Sequence, residues 1–263
     1  MKLQFFYMLP FTIMLFTKAH AAEVSIGMVD FCPYMCVGTA NKGFIVEIVE
    51  QAFKKNGIAA KFTVKPWARA VADTRVGKLD GLLAPGKNEA PGLMFPETPV
   101  AVQQNCFYAK STSQWNYRSF NDVKNGTFIS YIGFGNRLDL EKSIGVGVYK
   151  KNFLEFNYDN NYMSRAASMV NANRAIAMWA DPISFEKTKQ DGNKLLNGLK
   201  NKGCISSYYL YLAFPPTSVR RIPELVNLFE DGISKLKRSG ELKAIYEKYH
   251  VSNLAYQKEQ VFH

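Results

Sequence analysis

The order of elements in the first third of the chain constrains the fold most. Val24-Ser25-Ile26-Gly27-Met28 alternates apolar with small or polar residues, as a strand does. Gly43 then opens an amphipathic helix, because Phe44, Ile45, Ile48, Val49, Ala52 and Phe53 make one apolar stripe. Asn56-Gly57 closes it. Phe62-Thr63-Val64 reads as the next strand. Trp67 to Val76 reads as a second helix, entered at Pro66 and stopped at Gly77, and Leu79 to Ala84 as a third strand. A β-α-β-α-β series of this kind predicts a mostly parallel sheet.

A loop follows, since residues 85–99 hold four prolines, Pro85, Pro91, Pro96 and Pro99. A second α/β unit begins at Cys106-Phe107-Tyr108-Ala109. Its further strands are expected at Phe128 to Ile132, Phe153 to Phe156 and Ala175 to Trp179, with helices at Arg137–Lys142 and Met163–Asn171. Tyr208 to Phe214 is again strand-like. Leu225, Phe229, Ile233 and Leu236 mark one helix face, and Leu242, Ile245 and Tyr249 another, with a break at Ser239-Gly240. Residues 251–263 carry no pattern.

The N-terminal segment stands apart. Lys2 is followed by an apolar run from Phe5 to Phe16 and by Ala19-His20-Ala21, a small-x-small cleavage site. These are the parts of a secretory signal peptide over residues 1–21. The run is short of the ~20 residues a membrane span needs. No cysteine sits at the cleavage point, so the expected product is a soluble periplasmic protein. The formal charge is +11, from 33 Lys and Arg against 22 Asp and Glu. Removal of the leader lowers it by Lys2 and Lys18. No nucleic-acid motif accompanies the charge, so no nucleic-acid partner is expected, and the basic surface suits an exported protein facing an anionic envelope.

An exported chain can keep disulfides. Cys32, Cys36, Cys106 and Cys204 allow three pairings. The reading favours Cys32–Cys36, where Pro33 enforces a turn, with Cys106–Cys204 joining two strand-like segments. A redox or metal role for Cys32-x-x-x-Cys36 is the competing reading. Its spacing differs from Cys-x-x-Cys, and no histidine or carboxylate cluster accompanies it, so neither metal nor cofactor is expected.

The order of these blocks resembles the periplasmic solute-binding proteins of type II fold, the family of amino-acid-binding components of ABC importers. Four features carry the resemblance. The first is the strand, turn and Gly-led helix from Ile26 to Phe53. The second is Pro66-Trp67-Ala68-Arg69-Ala70 followed by Gly77-Lys78-Leu79-Asp80-Gly81. The third is Phe95-Pro96-Glu97-Thr98-Pro99-Val100. The fourth is the ending from Ser234 through Gly240-Glu241-Leu242 to Tyr246 and Tyr249. The similarity spans roughly Val24 to His250. It implies an α/β fold of two lobes, each a central mostly parallel sheet flanked by helices, with a ligand in the cleft between them. Mapped onto this chain, lobe one is 22–103 with 214–250, lobe two is 104–213, and 251–263 is a tail. The Cys106–Cys204 bond would then staple lobe two beside the hinge.

Ligands sit outside the carboxyl ends of strands in such sheets, and those ends nominate the site. Asp30 either bonds a ligand or caps the cysteine turn. Tyr34 and Trp67 are candidate aromatic walls, with packing in the lobe-one core the alternative for Trp67. Arg69 is a candidate carboxylate fork or a solvated helix residue. Tyr131 and Arg137 follow a lobe-two strand, Arg137 near a helix N-terminus that attracts anions or simply on the surface. Asp181 either anchors an ammonium or hydroxyl group or forms a turn before Pro182. One departure from the family pattern stands out. The stretch 84–92, where amino-acid binders place a Ser or Thr and an Arg for the α-carboxylate, holds Lys87 as its only cation.

The expected function is therefore non-enzymatic capture of a small polar solute, an amino acid or a related anionic or zwitterionic compound, by a monomer that delivers it to an inner-membrane ABC permease. Two alternatives share the scaffold. One is a ligand-sensing accessory protein for a membrane receptor. The other is a dehydratase-like enzyme, for which Asp30, Asp181 or Glu97 would have to supply the acid or base.

Overall fold

The computed structural model describes residues 22–132, 137–159, 161–216, 221–251 and 260–261. The leader expected at 1–21 lies outside the described residues, as does most of the tail. β1 (Glu23–Met28) lies between β2 (Ala59–Val64) and β3 (Gly81–Leu83), parallel to both, with Ile26 opposite Phe62 on one side and Gly81 on the other. The helices α1 (Phe44–Lys54) and α2 (Trp67–Arg75) make the connections. β9 (Leu212–Ala213) comes back from far along the chain and joins β3 antiparallel, giving the order β2-β1-β3-β9.

The stripe on α1 does what its spacing requires. Phe44, Ile45, Ile48, Val49, Ala52 and Phe53 are all buried, and each large side chain among them stabilises the lobe by about 1.5–3 kcal/mol. They face the sheet and α7 (Ile222–Ser239), where Phe53 meets Phe229 with ring centroids 5.9 Å apart. A Cβ on Gly232 of α7 would sit 2.1 Å from the Ala52 carbonyl oxygen, so only glycine lets the two backbones touch. α8 (Glu241–Lys248) completes this layer and places the Tyr246 hydroxyl 2.9 Å from the Val100 carbonyl, to which it donates.

The second sheet has the order β10-β8-β4-β7-β5-β6. β5 (Phe128–Tyr131), β6 (Phe153–Phe156) and β7 (Ala177–Ala180) are its parallel part. The long strands β4 (Ala101–Lys110) and β8 (Leu199–Leu210) pair antiparallel with each other, and β4 pairs antiparallel with β7. The antiparallel share has a physical reason, because β4 and β8 are also the connections between the two cores. Val100, Ala101, Leu210 and Leu212 are buried in the first core, whereas Cys106, Phe107, Tyr108 and Ala109 are buried in the second. The chain crosses from one core to the other within β4 and returns at the end of β8.

Helices α3 (Arg137–Ile144), α4 (Val146–Asn152), α5 (Tyr162–Asn171) and α6 (Pro182–Gln190) flank this sheet. α4 and α6 are helices that no apolar stripe announces. α6 instead shows a start signal, with Asp181 as N-cap accepting from the Ser184 N–H and Pro182 in the first turn. Trp179 of β7 is fully buried among Phe107, Phe128 and Phe153. In the patternless tail, β10 (Gln260–Val261) pairs antiparallel with Ser207 and Ser206. Both favoured disulfides, Cys32–Cys36 and Cys106–Cys204, are formed. The second joins residues directly opposed across β4 and β8. No helix among the described residues is long and apolar enough to cross a membrane.

Candidate ligand-binding site

The carboxyl ends of β1, β3, β5, β6 and β7 converge where the two sheets face each other. The loop after β1 is the most constrained of these ends. Cys32–Cys36 closes it covalently, and Phe31 and Met35 exchange two backbone hydrogen bonds of 2.7 and 2.9 Å. The first N–H groups of α1 complete the hold, Phe44 donating to the Pro33 carbonyl and Ile45 to that of Tyr34, both at 3.1 Å. These are donors that a helix start otherwise leaves without partners. Gly43 makes the approach possible, with φ of 93° and its Cβ position 2.5 Å from the Tyr34 carbonyl oxygen.

Held this way, the Tyr34 ring is fully buried and stacks on Phe31, with centroids 4.9 Å apart. Its hydroxyl crosses to the other lobe and donates to Asp181 Oδ2 at 2.9 Å. A second crossing bond runs from Ser184 Oγ to the Cys32 carbonyl at 3.3 Å. Phe31 also meets Tyr158, which follows β6, with centroids 5.5 Å apart. Tyr158 contacts Tyr131 at 4.8 Å and Tyr162 at 5.4 Å. Five rings thus continue from Tyr34 across the gap into the second lobe.

Two carboxylates border the rings. Asp181 is 6% exposed and accepts from the Ser184 N–H at 2.9 Å and the Gln104 N–H at 3.2 Å besides Tyr34. Burial pushes its carboxyl up to about 6, against the pull of these donors. Glu89 is half-buried and accepts from the Gly86 N–H at 2.8 Å. Burial raises its carboxyl too, while the Gly86 N–H and the Tyr208 hydroxyl lower it. Ala84, at φ of 61°, turns the chain out of β3 to place this loop. Tyr208 of β8 donates to Gln103 Oε1 at 3.0 Å, so both crossing strands face the site.

A cavity of about 640 Å³ opens beside the rings, with Asp30, Cys32 and Thr39 from the first lobe and Tyr158, Tyr162 and Lys187 from the second among its walls. A cavity of about 470 Å³ beside Lys110, Trp115 and Arg174 lies at the far end of β4, away from these strand ends. Among the described residues no His, Cys, Asp and Glu group is placed to hold a metal ion.

Of the residues nominated from sequence, Asp30, Tyr34, Tyr131 and Asp181 come together here. Asp30 Oδ1 also accepts from the Val37 N–H at 3.1 Å, so it caps the cysteine turn while facing the cavity. Trp67 packs half-buried against the small core of Ala70, Leu82 and Leu93. Arg69 is 64% exposed and pairs with Asp73 on its own helix at 3.1 Å. Lys87 lies over the Tyr211 ring, its Nζ 5.0 Å from the centroid. Arg137 pairs with Glu141 at 3.1 Å and Glu155 at 3.2 Å. The sequence reading did not single out Phe31, Glu89, Gln103, Tyr158, Tyr162, Ser184 or Tyr208. The strand-end rule reaches Tyr158, two residues beyond β6, and Glu89 lies in the 84–92 stretch, where the family pattern points to a Ser or Thr and an Arg rather than to an acid.

The family model for bacterial extracellular solute-binding proteins, family 3, matches residues 24–252. This chain belongs to that family. No curated protein matches this family 3 chain. Solved structures share its fold at low identity. The L-cystine solute receptor of Neisseria gonorrhoeae, unliganded and open, is 17% identical with a TM-score of 0.60, covering 90% of this chain and 96% of its own. A mutant of ArgBP from T. maritima is 16% identical with a TM-score of 0.65, covering 87% and 95%. A histidine kinase sensor domain with similarity to periplasmic binding proteins is 16% identical with a TM-score of 0.65, covering 86% and 95%. Identities this low carry the type II two-lobed fold of the family 3 protein and no ligand.

Proposed function

We propose that this protein captures a small polar solute between its lobes in the periplasm and delivers it to an inner-membrane ABC permease. The leader over 1–21 would direct export, and the lobes would divide at 103/104 and 213/214, in or beside the crossing strands. The observation that carries the reading is the Tyr34–Asp181 bond, which ties the two lobes together at the strand ends where a solute would be enclosed. Hinge closure around a ligand is the motion such proteins use. Asp30, Tyr34, Tyr131 and Asp181, with Phe31, Tyr158 and Glu89, are the proposed ligand contacts. In this reading the protein acts as a monomer and without catalysis.

Titration calorimetry against amino acids, amines, organic acids and sugars tests this. One-to-one binding of one of these solutes is expected. A folded protein that binds none of them contradicts it. A second reading, ligand sensing for a membrane receptor, draws support from the fold shared with a histidine kinase sensor domain. Both readings use the same closure. Pull-down of the purified, ligand-loaded protein on membranes separates them, recovering a permease in one case and a sensor kinase in the other.

A further inference from the structure

The charges around the interlobe gap are distributed unequally. Among the described residues, the cations near the strand ends are turned onto partners of their own. Arg69 holds Asp73, Arg137 holds Glu141 and Glu155, and Arg165 holds Asp159 at 3.1 Å. Lys187 pairs with Asp191, and Lys87 sits over Tyr211. Two carboxylates at the lobe junction, Asp181 and Glu89, have the opposite character. The hydrogen-bond donors to Asp181 are the Tyr34 hydroxyl and the Gln104 and Ser184 N–H groups. Glu89 accepts from the Gly86 N–H, and the Tyr208 hydroxyl, which donates to Gln103, lies 3.4 Å from its Oε1. None of these donors is charged, and neither carboxylate forms an ion pair among the described residues.

A carboxylate buried without a counter-ion is costly, and a charge that arrives with a ligand removes that cost. The rings add to the same preference. Phe31, Tyr131 and Tyr158 are partly exposed, and their faces attract a cation more strongly as water is excluded. A ligand carboxylate meets the reverse conditions. It would face two like charges and the negative ring faces, with no guanidinium fork among the described residues to receive it.

We infer that the interlobe site selects an organic cation that carries no carboxylate, an amine or quaternary ammonium held between the rings and the Asp181 and Glu89 carboxylates. The inference rests on the solute-capture reading above and narrows its substrate class.

Matched pairs test it, because each pair keeps the cation and changes only the carboxylate. Agmatine is titrated against arginine, cadaverine against lysine and histamine against histidine, with tetramethylammonium as a quaternary probe. At least one amine or tetramethylammonium binds, any such amine about tenfold or more tighter than its parent amino acid, a difference of about 1.4 kcal/mol. Asp181→Asn or Glu89→Gln weakens that binding by about tenfold or more while the circular dichroism spectrum is retained. Asp181→Asn keeps an acceptor for the Tyr34 hydroxyl, and Glu89→Gln stands in if it fails to fold. Parent amino acids binding as tightly as their amines, or binding confined to anions or sugars, would overturn the inference and leave solute capture standing. A folded protein silent to the amines, amino acids, organic acids and sugars alike would overturn both.

Discussion

The Tyr34 hydroxyl donates to Asp181 Oδ2 at 2.9 Å, joining a ring held by the Cys32–Cys36 disulfide loop in one lobe to the N-cap of α6 in the other. Removing that hydroxyl leaves a buried carboxylate with one donor fewer. Tyr34→Phe should lower stability by about 1.5–3 kcal/mol, the range for hydrogen bonds to charged groups. Urea unfolding at neutral pH measures it, and a change below a few tenths would mean the lobes do not hold this contact in solution.

Asp181 also predicts a pH dependence. Its folded carboxyl lies at about 6, above the ordinary 3.8. A raised carboxyl favours the protonated folded state, so this contribution to stability is complete below pH ~4 and is lost as pH rises through ~6. At about 1.4 kcal/mol per pKa unit, the loss is about 2–3 kcal/mol. Unfolding curves of wild type and Asp181→Asn should therefore diverge between pH 4 and 7, with the variant lacking this decline. Parallel curves would show that Asp181 is not buried unpaired.

The Cys106–Cys204 bond closes a loop of 98 residues. Replacing both cysteines by alanine should cost up to about 4.7 kcal/mol on the chain-entropy model, with the Cys32–Cys36 bond intact. Calorimetric melting gives the loss directly, and an unchanged melting temperature would contradict the crosslink.

Gly232→Ala places a methyl group 2.1 Å from the Ala52 carbonyl oxygen, where backbone and not a flexible side chain must move. A loss of roughly 1–3 kcal/mol is expected from overpacking between α1 and α7. Ligand affinity per folded molecule should be unchanged, because this contact lies on the outer layer of lobe one.

Arg69 tests the site from the negative side. It is 64% exposed and bound to Asp73, which Lys65 also holds at 3.0 Å. Arg69→Ala should change stability by no more than about 0.5 kcal/mol and leave ligand affinity within about twofold. A large loss of affinity would place a guanidinium in the cleft.

The parallel half of each lobe was legible because its signals are local. Alternation in Val24 to Met28 and the stripe from Phe44 to Phe53 place β1 and α1 within a residue. The favoured disulfides, Cys32–Cys36 and Cys106–Cys204, are formed as the expectation of an exported chain and the Pro33 turn implied. What was not legible depends on the crossing strands. Gln103 and Tyr208 sit on β4 and β8, and only their pairing over some hundred residues brings them to the site. The arginines misled for a related reason. Arg69 and Arg137 follow strand ends in sequence, but carboxylates at i+4, Asp73 and Glu141, capture them on their own helices.

The most direct measurement is calorimetric titration of wild type and Asp181→Asn with the amines, amino acids, organic acids and sugars. A single site in wild type, weakened by about tenfold or more in the variant, is the expected result. Equal affinity in both proteins would place the solute away from the lobe junction and contradict the interlobe site.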